Sequence, residues 1–323
     1  MRNTRLYRDG VLEAKDFPAA QISDYLQEPG TVVWLDLCEP DQEDLQVISE
    51  EFGLHPLAIE DATQPHERPK LDRYQDHYFL TAYAVGLDAA TGMLSTSELA
   101  AFVTPRALIT VRKDARFDID GMVARWDGSA DLAGHGVGFL LWGLLDFVVD
   151  GHFTTVQQLD EAIEGLEDLL FDERPKSAEV QRRSFELRKS LVVLRRLVLP
   201  MREVVNSLLR RDLGLVDQGM APYFQDVYDH VLRATEWTES LRDLVSTILE
   251  TNITIQGNRL NATTKKVTGW AAIIAVPTAV TGYYGMNVPY PGFGQHSGVV
   301  TSTVLLVGLS TGLYVLFRRL DWL

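Results

Sequence analysis

The sequence predicts an α/β domain followed by long helices and two C-terminal membrane spans. Three observations carry that prediction. Short β-branched and aromatic runs alternate with a capped helical pattern before residue 130. Between Pro222 and Tyr284 the only proline is Pro277, which permits one very long helix. Residues 267–317 contain no Asp, Glu, Lys or Arg, although the 323-residue chain carries 45 acidic and 30 basic side chains, a net charge of −15. An uncharged stretch of that length belongs in a bilayer and excludes a wholly soluble protein.

In chain order, TVVWLDL (31–37) predicts a strand, and DQEDLQVISEEFG (41–53) an amphipathic helix closed by Gly53. HYFLTAYAVGL (77–87) reads as a strand, and LAAFVTPRALITVR (99–112) as two strands turning at Pro105. This α/β domain covers 1–130. A helical hairpin is expected over 131–221. Residues 146–173 hold nine acidic and no basic side chains, whereas 174–211 hold eleven basic and three acidic ones, with Arg174-Pro175 at the junction. Complementary pairing of the two arms would fix the hairpin, and the acidic arm could also concentrate cations. Pro222 suits the first turn of a stalk helix over 222–284, which couples the cytoplasmic domain mechanically to the membrane.

Several function classes are excluded. The acidic balance gives no phosphate-attracting field, so nucleic acid is not an expected partner. No phosphate-binding loop or nucleophile motif occurs, so neither enzymatic activity nor an organic cofactor is expected. The lone Cys38 excludes an internal disulfide and reads as a buried structural residue. His55, His66, His77, His152 and His230 form no compact ligand pair and read as structural.

The uncharged stretch divides into a span over 267–284, a Gly- and Pro-rich loop over 285–298 and a second span over 299–317. MRNTRLYRDG lacks the apolar core of a signal peptide, so insertion is expected from these spans. Lys265 and Lys266 precede the first span, and Arg318 and Arg319 open the 318–323 tail. Both basic pairs lie on one side, the cytoplasmic side, which puts both termini inside and the loop outside. Asn261, Thr264, Thr268, Ala271, Ala275, Thr278 and Gly282 share one helical stripe, with Val267 at its edge. Such a stripe either allows close helix packing or lines a watery path. Neither span holds an ionisable residue, which argues against a proton relay.

The first span ends in Tyr284-Gly285-Met286-Asn287. YGMN before a short loop and a final span, Pro277-Thr278 upstream and the FRRLDWL terminus together resemble the CorA family of divalent-cation channels. APYFQDVYDHVLRATEWTESLRDLVSTILETNIT (221–254) and ERPKLDRYQDHYF (67–79) extend the resemblance over most of the chain. It implies a funnel-shaped homopentamer in the inner (plasma) membrane, with the first span lining the pore. Gly285, Met286 and Asn287 would form the outer mouth for hydrated Mg²⁺, with Co²⁺ and Ni²⁺ as further cargo; Asn287 also suits a helix C-cap. Asp226, and more weakly Asp88, match positions of a regulatory Mg²⁺ site that holds the family's pore closed. Val267 is the candidate gate. The alternatives are a zinc transporter of the same superfamily and a membrane-anchored helical sensor without a pore. The family's loop is often acidic, whereas VPYPGFGQHSG here is not.

Overall fold

The computed structural model describes residues 2–64, 68–88, 91–171, 177–210 and 214–323. His66, Arg174 and Pro175 lie outside the described residues. The chain divides into two units, Met1–Ile248 and Leu249–Leu323.

The first unit is built on a seven-stranded sheet. Its strands are β1 (Arg2–Arg8), β2 (Val11–Lys15), β3 (Thr31–Cys38), β4 (Lys70–Arg73), β5 (Tyr78–Asp88), β6 (Met93–Val103) and β7 (Ala107–Arg112). They lie in the order β2-β1-β3-β7-β6-β5-β4. Only β3 and β7 run parallel, in the register Val33 to Ala107 through Cys38 to Arg112. The expected strands at 31–37 and 77–87 are β3 and β5, and 99–112 divides between β6 and β7. The helix expected over 41–53 is α2 (Gln42–Phe52). Asp41 accepts a hydrogen bond from the Asp44 N–H at 2.8 Å in a capping box, and Gly53 closes the helix at φ 61°.

Alternation along β3 divides the core into two layers. Val33, Leu35 and Leu37 pack with α1 (Ile22–Gln27), α2 and α3 (Pro56–Thr63) through Ile22, Leu45, Ile48, Ala58 and Ala62. Trp34 faces the other way and meets Trp126 of α4 (Ile119–Gly128) edge-on, with ring centroids 4.9 Å apart. Asp36 is fully buried on that side; the Arg112 guanidinium reaches it at 2.7 Å and the Thr110 hydroxyl at 2.9 Å.

Helix α5 (Val137–Leu170) is long and apolar enough to cross a membrane, but most of its apolar stretch is buried in the protein. His152 anchors α5 to β5 by a 2.7 Å hydrogen bond between Nε2 and the Tyr83 carbonyl. Helix α6 (Ser177–Leu208) follows, continuous through Pro200. The hairpin they form corrects one expectation: no salt bridge crosses from α5 to α6 among the described residues. Three basic side chains of α6 pair elsewhere, Arg182 with Glu186 and Arg183 with Glu179 within the helix, and Arg195 with Glu239 of α7. The physical reason is geometric. The contacting faces are apolar, with Leu159, Ile163 and Leu166 on α5 and Leu187, Leu191 and Leu194 on α6. Neighbours at i and i+4 are therefore nearer than the opposite arm.

Helix α7 (Ala221–Tyr284) has 64 residues and contains Pro277. In the first unit it buries Phe224, Val227, Val231, Ala234, Leu241, Val245 and Ile248, a stripe at steps of three, four and seven. The second unit comprises the rest of α7, the loop and α8 (His296–Arg319), which extends past 299–317 at both ends. Helix α8 is long and apolar enough to cross a membrane, and its apolar stretch is unburied.

Candidate functional site

The last turn of α7 is closed by Gly285, whose N–H donates to the Thr281 carbonyl at 2.8 Å, and by Met286, which donates to Tyr283 at 3.3 Å. Gly285 is needed here for space, because its φ is not left-handed. A Cβ on it would stand 2.9 Å from the same Thr281 oxygen, closer than real side chains come. Asn287 lies two residues past that closure, exposed, and its amide makes no hydrogen bond among the described residues. Its φ is not left-handed and its N–H returns no bond to α7 among the described residues, so Gly285 and Met286 close the helix and not Asn287. Beyond it, Gly292 at φ 89° and Gly294 at φ 73° turn the loop, and Gly292 packs directly on Gly298. Tyr283, Tyr284, Tyr290 and Phe293 cluster beside the turn, with neighbouring ring centroids 4.9–6.2 Å apart.

Within the second unit, α7 packs at buried Gly269 against Phe317 of α8 and Leu323 of the tail, while Ile273 and Val280 are half-buried. The sequence stripe lies elsewhere on the helix. Asn261, Thr264, Val267, Thr268, Ala271, Ala275, Thr278 and Gly282 are all exposed. Thr278 returns its hydroxyl to the Ile274 carbonyl at 3.2 Å, whereas the hydroxyls of Thr264 and Thr268 make no such bond. The exposed stripe thus presents two free hydroxyls, one amide and small apolar side chains.

The two carboxylates matched to a regulatory site are placed separately. Asp88 ends β5, where its side chain accepts from the Thr91 N–H at 3.4 Å and its carbonyl from Gly92 at 2.8 Å. Asp226 stands exposed on α7, 4.0 Å from His230 Nδ1. Beside it, Asp146 and Asp150 of α5 and His230 offer three ligand atoms within 4.8 Å of one another, a group to which neither Asp88 nor Asp226 belongs. Arg125 already sits on it, paired with Asp146 and, at 2.6 Å, with Asp150. Burial pushes the Asp146 carboxyl up, and Arg125 holds it back in part. Two carboxylates suit a hard divalent cation and the imidazole a softer one, and either would have to displace the guanidinium. Reading residues singly missed this group. Its signal is the Asp146–Asp150 pair at i, i+4 on α5, which only the fold joins to His230 of α7.

His55 and His77 are structural in their contacts. His55 accepts from the Leu57 N–H at the start of α3, and His77 is buried in a stack with Tyr74 at 4.9 Å. Burial is the main cause that lowers the His77 pKa.

Comparison with known proteins decides the family. The family model for a CorA-like Mg²⁺ transporter protein matches residues 29–319. The chain belongs to the CorA family. It is 28% identical over 97% of its length, and 90% of the relative, to the cobalt/magnesium transport protein CorA of Thermotoga maritima. It is 25% identical over 79% of its length, and 77% of the relative, to the zinc transport protein ZntB of Pectobacterium carotovorum. The complete structure of the CorA magnesium transporter from Methanocaldococcus jannaschii superposes with a TM-score of 0.81 at 22% identity, covering 99% of this chain and 98% of that one. The fold is therefore a CorA fold, and the protein is a CorA-family divalent-cation transporter. The 285–298 loop holds no Asp, Glu, Lys or Arg, so any affinity of that loop for cations rests on dipoles and aromatic faces.

Proposed function

We propose that the protein is a homopentameric channel in the inner (plasma) membrane that passes hydrated Mg²⁺ into the cytosol down its gradient, with Co²⁺ and Ni²⁺ as further cargo. The observation that carries this reading is the turn at Gly285-Met286-Asn287. It leaves a free Asn287 amide at the end of a helix whose exposed stripe runs from Asn261 to Gly282. Five amides around a common axis would bind an ion through its water shell, which suits a cation that dehydrates reluctantly. The 267–284 stretch of α7 and α8 cross the bilayer, with both termini cytoplasmic, on the strength of Lys265, Lys266, Arg318 and Arg319. Cytosolic divalent cation at Asp226 and Asp88 holds the pore closed, and Val267 is the gate.

Uptake of Mg²⁺, Co²⁺ and Zn²⁺ in competition, by proteoliposomes with and without a proton gradient, tests the cargo. Mg²⁺ should be taken up and should displace the others. Zn²⁺ uptake dependent on the proton gradient would move the assignment to a zinc transporter, a reading the ZntB relatives favour. In the same assay Asn287→Ala should abolish selective Mg²⁺ uptake, and uptake equal to wild type would refute the mouth.

A further inference from the structure

Two exposed stripes on the α5–α6 hairpin are complementary to each other and unused by their own chain. On α5, Glu161, Glu164 and Asp168 are exposed and followed by Phe171, which is 74% exposed just past the helix end. Their steps of three and four residues put them on one face. On α6, Phe185, 69% exposed, shares a face with Arg188, Lys189, Val192 and Arg196, all exposed. Among the described residues, none of Glu161, Glu164 and Asp168 is in an ion pair, and neither are Arg188, Lys189 and Arg196. The other cations of α6, Arg182, Arg183, Arg195 and Arg202, all pair with carboxylates of their own chain.

We infer that these stripes are the two halves of a contact between neighbouring copies of this chain, with α5 of one lying antiparallel to α6 of the next. Set that way, the two patterns match end to end. Glu161 meets Arg196, Glu164 meets Val192 and the Lys189 ammonium, Asp168 meets Arg188 and Lys189, and Phe171 meets Phe185. Each stripe spans about 15 Å at the rise of a helix, so the lengths agree as well. Used head-to-tail, with the acidic half on one neighbour and the basic half on the other, the contact builds a ring, whereas reciprocal use by two copies would stop at a dimer. An anionic lipid surface would satisfy the basic stripe but repel the acidic one on the same hairpin, so a second copy is the occupant that uses both. The inference rests on the oligomeric reading above and adds the surface that holds its cytoplasmic part.

Cross-linking of the full-length protein in detergent tests it, since the native Cys38 is buried. Asp168→Cys/Lys189→Cys in one chain should give, under mild oxidation, a ladder of covalent oligomers, and either substitution alone none. Glu161→Arg and Arg196→Glu should each lower the cross-linked fraction about fivefold, from a lost exposed pair and a new repulsion, and together restore it. A cross-link confined within one chain, or none, in a sample whose mass is that of an oligomer would overturn the contact and leave the channel reading standing. A monomeric wild-type mass would overturn both. Protection of the Lys189→Cys thiol by anionic vesicles, without cross-linking between copies, would assign the basic stripe to lipid and overturn the contact.

Discussion

Gly285→Ala is the substitution by which the mouth geometry is most directly tested. The added methyl would stand 2.9 Å from the Thr281 carbonyl oxygen, at least half an ångström inside ordinary van der Waals contact. That oxygen is also the acceptor of the Gly285 N–H at 2.8 Å, so the clash and the bond that closes α7 act on one atom. Relief requires the turn to open. Overpacking of this kind costs about 1–3 kcal/mol, and loss of the bond adds about 1 kcal/mol. The helix survives, because the cost falls on its last turn, but Asn287 is carried off by the shift. Gly282→Ala is the matched control: it lies on the exposed stripe with nothing within 4 Å of an added Cβ and no left-handed φ. In Mg²⁺ uptake by proteoliposomes, Gly285→Ala should fall at least tenfold at equal reconstitution, whereas its thermal unfolding in detergent moves by only a few degrees. Uptake within twofold of wild type would refute the claim that this glycine exists for space. A Gly282→Ala protein as impaired as Gly285→Ala would show that crowding of the stripe, and not closure of the turn, is what uptake senses.

Three further outcomes are expected. Burial holds His152 at about 4, against an ordinary 6.5, so the unfolded chain takes up the proton first as pH falls. Stability should be full above pH 6.5 and drop by about 3 kcal/mol on the way to pH 4, a loss that His152→Gln should largely remove in unfolding curves at pH 7.5 and 5; parallel losses in both proteins would reject it. Asp226→Ala/Asp88→Ala should weaken closure by Mg²⁺ on the side of the cytoplasmic domain in a liposome flux assay, and unchanged inhibition would dismiss both carboxylates. Gln295→Glu, at the start of α8, should speed Mg²⁺ entry at low ionic strength and lose that advantage at high salt; a salt-insensitive gain would rule out an electrostatic origin.

What the sequence disclosed and what it hid follow one division. Strand β3, helix α2 and the stripe on α7 are written in local spacing: alternation at Val33-Trp34-Leu35, an Asp41 cap with a Gly53 stop, and small residues at helical steps. Strand β1 was not legible, because Arg2, Arg5 and Arg8 break an apolar reading. Arg5 is nonetheless buried, and what allows it is Asp127, a partner far along the chain that holds its guanidinium at 2.7 and 2.9 Å. The same remoteness hid Asp146, Asp150, His230 and Arg125 as one group. The failed pairing of the hairpin arms has a different cause. Counting charges on two segments says nothing of which faces meet, and the faces that meet here are leucine and isoleucine.

The uncharged loop bears on mechanism through the same distinction between local pattern and assembled surface. A ring of carboxylates raises the local cation concentration over a Debye length of about 10 Å but does not discriminate between ions of equal charge. An amide two residues past a sterically locked turn does the reverse: it attracts weakly and positions strongly. At the proposed mouth, sorting of Mg²⁺ from other divalent cations would then depend on how firmly Asn287 is held. Among the described residues its own side chain has no partner, so the firmness has to come from its backbone, through the Gly285 and Met286 bonds to α7 and the packed Gly292–Gly298 contact beyond it. Selectivity and the glycine content of the loop would then be linked, since Gly285, Gly292 and Gly298, together with the Met286 backbone, fix the position of the Asn287 amide.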